Sequence, residues 1–123
     1  MTSEIQHEDI SIFFFDFRAC KDSNDCMAVL NEGADKIRGV PSKSIYALAD
    51  VTGVPIYPNF LAEAKRLNQE VYDDKFKISA VLGIDSMPRK LLLMAYNSVA
   101  KNKMQAFDTR EEALAFLYTG SQP

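Results

Sequence analysis

Hydrophobic positions along this chain switch between a continuous or alternating pattern and a helical one, and each switch marks an element. Ile10 to Phe17 (ISIFFFDF) is an unbroken run of β-branched and aromatic residues and predicts a buried strand. Asp22 and Ser23 are good N-caps for a helix in which Cys26, Leu30, Ala34 and Ile37 recur at helical spacing, and Gly39 with Pro41 ends it. Ser44 to Val51 predicts a second strand. From Pro58, an apolar stripe of Phe60, Ala64, Leu67 and Val71 is set against Glu63, Lys65, Arg66, Gln69 and Glu70, the pattern of a helix lying on a sheet. Lys77 to Ile84 (KISAVLGI) predicts a third strand and Asp85 to Lys101 a third helix. Lys103 to Asp108 predicts a short edge strand and Thr109 to Tyr118 a last helix, whose opening Thr109-Arg110-Glu111-Glu112 fits a capping box.

Strands alternating with helices imply a parallel sheet with right-handed crossovers. The expected fold is therefore α/β: a single domain over residues 10–118, with a four-stranded, mostly parallel sheet and four helices packed on it. Residues 1–9 and 119–123 read as tails. A length of 123 residues with 47% hydrophobic positions suits one domain with one core.

Charge narrows the function. Fourteen basic and 17 acidic residues leave a net charge of −3, which argues against a general nucleic-acid binder. Met1 to Asp9 carries Glu4, Glu8 and Asp9 where a secretion signal would be basic, and the apolar run after it is too short to span a membrane; a cytoplasmic protein is expected. The charge is uneven. Residues 75–103 hold Lys75, Lys77, Arg89, Lys90, Lys101 and Lys103 against Asp85 alone, a local charge of +5, so the rest of the chain carries −8.

Several chemistries lack their residues. The one histidine, His7, lies in the expected N-terminal tail, leaving no Ser/His or Cys/His pair on the framework, and neither a GxGxxG nor a phosphate-binding Walker loop occurs. Cys20 and Cys26 are not spaced as CxxC and read as free thiols. Asp16, Asp50 and Asp85 each end a strand; such aspartates are helix caps and turn formers as readily as metal ligands. We expect no catalytic residues, no cofactor and no metal.

The candidate site is the strand–turn–helix junction Asp50-Val51-Thr52-Gly53-Val54, because backbone N–H groups gather where a strand leads into a helix at the carboxyl edge of such a sheet. A second candidate is the mouth of the third helix, Asp85, Ser86, Arg89 and Lys90. Cations there oppose the helix dipole, and a bound anion would relieve that cost. The third is Leu91-Leu92-Leu93-Met94-Ala95-Tyr96, apolar around more than half of the helix. Burial on the sheet accounts for it, as does a homodimer seam or the wall of an apolar-ligand site, with Leu92, Leu93 and Tyr96 as its centre.

Asp50-Val51-Thr52-Gly53-Val54, Ala80-Val81-Leu82-Gly83-Ile84, Arg89-Lys90-Leu91-Leu92-Leu93, Tyr96-Asn97 and the ending Phe107 to Leu117, taken as an ordered set over residues 44–118, resemble the bacterial STAS/SEC14-like family, relatives of sporulation anti-anti-sigma factors. The resemblance implies a regulatory or protein-interaction module that acts by binding, with a regulator or kinase as partner. It places the family's phosphoacceptor at Thr52, with Asp50 and Gly53 as plain turn chemistry as the other reading. Its SEC14-like side implies a small lipid-like or other apolar ligand between helices and sheet, the alternative to the switch, and an anionic ligand at the carboxyl edge belongs to the same alternative.

Overall fold

Successive side chains on a strand point to opposite faces, and here that alternation sorts the core into two layers. In the computed structural model, which describes residues 1–122, Phe13, Phe15, Ala47, Ala49 and Val81 face one side of the sheet, and Ile12, Phe14, Leu48, Ala80 and Leu82 face the other. The sheet has five strands in the spatial order β1 (Thr2–His7), β2 (Ile10–Asp16), β3 (Ile45–Asp50), β4 (Phe76–Leu82) and β5 (Met104–Phe107). β1 runs antiparallel to β2, and the remaining pairs are parallel.

Because β2 to β5 lie side by side in chain order, right-handed crossovers put all three connecting helices on one face. These are α1 (Ser23–Ile37), α2 (Pro58–Leu67) and α3 (Met87–Val99). The last helix, α4 (Arg110–Ser121), alone covers the other face, through Ala113 and Leu117 against Ile12, Phe14, Leu48, Ala80 and Leu82. The α/β fold class expected from the pattern is the one observed.

Local chemistry sets the helix ends. Asp22 caps α1 by accepting from the Asp25 N–H at 2.9 Å, and Thr109 accepts from the Glu112 N–H at 3.2 Å in the expected capping box. Helix α2 runs on through a π-turn, Asn68–Tyr72, and a single turn, Asp73–Lys75, before β4.

The strand count differs from the expected four, and residues 1–9 are not a tail. β1 pairs with β2 along its whole length, from Thr2 opposite Phe15 to His7 opposite Ile10. What fixes it is backbone pairing and a polar staple rather than an apolar stripe. The Thr2 N–H donates to Glu32 Oε1 at 3.1 Å, the Thr2 hydroxyl donates to the same oxygen, and Lys36 Nζ bridges Glu32 at 3.1 Å and the Thr2 carbonyl at 3.4 Å. The Met1 ammonium also donates to the Asp16 carbonyl at 3.0 Å. At the other end, α4 runs past Tyr118 to Ser121, so most of the expected C-terminal tail is helix; Pro123 lies outside the described residues.

Candidate functional site

The carboxyl ends of β3 and β4 carry the turn that the sequence singled out. Asp50 is buried; its Oδ1 accepts from the Thr52 N–H at 2.9 Å, and its Oδ2 lies 3.6 Å from Arg18 Nε. Gly53 holds φ at +74°, the left-handed conformation the turn needs. Thr52 sits at the exposed tip. Asp16 lies beside Asp50 in register and takes a bidentate pair from Arg18, at 2.9 and 3.0 Å, so one guanidinium serves both strand-end carboxylates. That contact holds the Asp16 carboxyl below its usual range.

Gly83, at the end of the Ala80 to Ile84 motif, is what lets the two strand ends meet. It has φ of +99°, and a Cβ there would lie 2.5 Å from the Thr52 nitrogen. No alternation or spacing signals it; only the approach of two distant loops does.

At the mouth of α3, Ser86 is the N-cap. Arg89 does not face solvent as a free cation. Its guanidinium turns inward and donates to the carbonyls of Val51 at 3.1 Å, Gly83 at 3.4 Å and Val54, while Nε lies 3.6 Å from Asp85. Arg89 thus ties α3 to the Thr52 turn and the end of β4. Lys90 and Asp85 are exposed.

Helix α3 has no buried residue, unlike α1, α2 and α4. Its inner face, Leu92, Leu93 and Tyr96, meets a cavity of ≈ 160 Å³ rather than a filled core. The floor is Phe15, Ala49 and Val81 of the sheet, with Phe60 and Ala64 of α2 and Tyr72 at the side. The lining is almost wholly apolar. Its polar members are Arg89 at the mouth, the Tyr72 hydroxyl, which donates to the Leu30 carbonyl, Asn68 at the start of the π-turn, and the Tyr57 and Tyr96 hydroxyls. Burial pushes the Tyr96 phenol up to about 12, with the nearby Asn68 side chain working against that shift.

The three positions expected at a seam, Leu92, Leu93 and Tyr96, are therefore on the inner wall. Helix phase brings Met87, Leu91 and Met94 to solvent instead, at 65%, 57% and 66% exposure. Both cysteines are free; Cys26 is buried against Cys20 and its thiol is pushed up to about 12, chiefly by burial. Among the described residues no group of three His, Cys, Asp or Glu side chains is placed to hold a metal ion, and no helix is long and apolar enough to cross a membrane.

No family model and no curated protein matches the chain. A solved structure does: an uncharacterized protein of the DUF3478 family with a SpoIIAA-like fold, from Shewanella loihica PV-4, superposes with a TM-score of 0.71 over 95% of this chain and 92% of that one, at 14% identity. The fold of this chain is thus SpoIIAA-like, the STAS type that the ordered motifs resembled.

Proposed function

We propose that the protein is a non-enzymatic STAS-type module that works by holding a small apolar molecule beneath α3. The observation that carries this reading is the cavity itself. Interiors are close-packed, and a half-open hollow that is nearly all apolar, roofed by a helix with no buried residue, leaves apolar surface to water unless something covers it. Apolar pockets with a few polar groups are the usual form of small-molecule sites. The test is uptake of an environment-sensitive apolar dye, N-phenyl-1-naphthylamine, by the purified protein, with native mass spectrometry of protein from its own host. Dye uptake that Leu93→Trp abolishes by filling the cavity supports the reading; no uptake and no retained mass refute it.

A second reading, a switch at Thr52, is favoured by the exposed tip of the turn and by the resemblance that puts a phosphoacceptor there. A phosphate would add a charge of about −1.5 to −2 beside Asp50 and within reach of a partner's surface. Thr52 contributes its backbone N–H to the turn, so Thr52→Ala is expected to change stability by no more than about 0.5 kcal/mol. Phosphopeptide mapping of protein from its host, alongside thermal melting of the variant, checks it; an unmodified Thr52 with a strongly destabilised alanine variant leaves only a turn.

A further inference from the structure

The cavity's size and two of its polar groups, the buried Asn68 and the half-buried Tyr96, together define a ligand class, an inference that rests on the ligand-holding reading above. An engineered protein cavity of about 150 Å³ lined by Leu, Ile and Phe stays dry and takes up benzene. The space beneath α3, at ≈ 160 Å³, is of that size and of that lining. It holds one aromatic ring with a small substituent, whereas a long acyl chain exceeds this volume and would have to run out of the open side.

The lining is not featureless. Asn68 is 5% exposed, lies on a π-turn and borders the cavity, as does Tyr96 of α3. A carboxamide has two N–H donors and two acceptor lone pairs, and a phenol both donates and accepts. Neither side chain has a hydrogen-bond partner among the described residues, and neither polar group is sealed from solvent, so that capacity is open to an occupant of the cavity. A π-turn is rare in helices and is found at functional sites more often than elsewhere. Charge settles the rest. Arg89 is the one charged residue among the described residues that line the cavity; it sits at the mouth, donates to the carbonyls of Val51, Gly83 and Val54, and has Asp85 3.6 Å from its Nε. No other charged group among the described residues lines the cavity, so a carboxylate or phosphate would meet a cation only at the mouth and not beside Asn68 and Tyr96.

We infer that the cavity takes a neutral single-ring aromatic molecule carrying one hydroxyl or carbonyl group, with the ring against Phe15, Phe60 and Leu93 and the polar group on Asn68 and Tyr96. The ring replaces the missing core, and the polar group completes the bonding of the amide and the phenol.

The experiment is an amide-shift titration of the intact chain with three probes: 4-methylphenol, its isostere para-xylene, which lacks the hydroxyl, and dodecanoic acid. Expected are saturable shifts around Asn68 and Leu93 to Tyr96, with 4-methylphenol binding about tenfold tighter than para-xylene. In Asn68→Leu that preference should vanish while para-xylene still binds; Tyr96→Phe, which removes one hydroxyl, should reduce it and serves if the leucine variant does not fold. Equal affinity for the two ring probes in the wild type overturns the polar handle, and tighter binding of dodecanoic acid overturns the size class; in both cases the cavity remains a ligand site. No binding of any probe overturns the inference, and the separate dye and mass measurements then decide whether the broader reading falls with it.

Discussion

Glu32 does more for the chain's start than any residue of β1 itself. Its carboxylate accepts from the N–H and hydroxyl of Thr2 and from Lys36, and these contacts, the Thr2 hydroxyl foremost, lower its pKa from 4.5 to about 2. A carboxylate depressed in the folded state stabilises the fold above its unfolded pKa, and that contribution is lost as pH falls toward the folded value. Stability should therefore decline between pH 4.5 and about 2 through this group, by a modest amount because the side chain is 41% exposed and screened by water. Denaturant melts of wild type and Glu32→Gln across that range check it. The variant should lose this part of the pH dependence and show faster amide exchange at Thr2 and Ser3 already at neutral pH; identical pH profiles for the two proteins count against the staple.

At the scale of elements, α3 is the least anchored of the helices, and Arg89 is its main polar tether. Leu92, Leu93 and Tyr96 give it an apolar inner face, yet that face meets the cavity instead of interlocking side chains. Three carbonyls from two loops accept from one planar guanidinium, so Arg89→Ala leaves all three without that donor, at a cost of about 2 kcal/mol given partial exposure. Arg89→Lys should recover only part of this, since an ammonium lacks the rigid fork. Urea melts give the stability change, and hydrogen exchange should show faster opening of α3 and of residues 51–54 together. A change confined to α3 would mean that the Thr52 turn is held by Asp50 and Gly53 alone.

Over the whole molecule, the exposed stripe of Met87, Leu91 and Met94 lies within a segment, Ser86 to Phe107, that contains Arg89, Lys90, Lys101 and Lys103 and no acidic residue. A two-fold contact through this stripe would set cations against cations. Self-association through α3 should then be weak at low salt and rise as salt screens that repulsion, and Leu91→Glu should abolish it. Sedimentation at low and high salt measures this; dimers that weaken with salt would place the contact elsewhere.

Local pattern was enough for the elements that have strong local codes. ISIFFFDF had to be a buried strand, Asp22 and Thr109 had to cap helices, and Asp50 with Gly53 had to form a tight turn, because each follows from side-chain period or from one residue's backbone preference. The order of those elements then left a parallel α/β sheet as the natural outcome. The remaining features depend on neighbours far away in the chain. β1 is a strand because β2 offers an edge and Glu32 a staple, neither of which its own TSEIQH pattern announces. Arg89 points inward because the carbonyls of Val51, Val54 and Gly83 converge on it, so this one cation of the expected anion site also serves as a clasp. The phase of α3 on the sheet turned Leu92, Leu93 and Tyr96 toward a cavity and Leu91 and Met94 toward solvent. Asn68, an ordinary polar residue in a helical sequence, became a candidate ligand contact only because the fold left space in front of it. A void has no sequence motif; it is the difference between the volume the elements enclose and the volume their side chains fill.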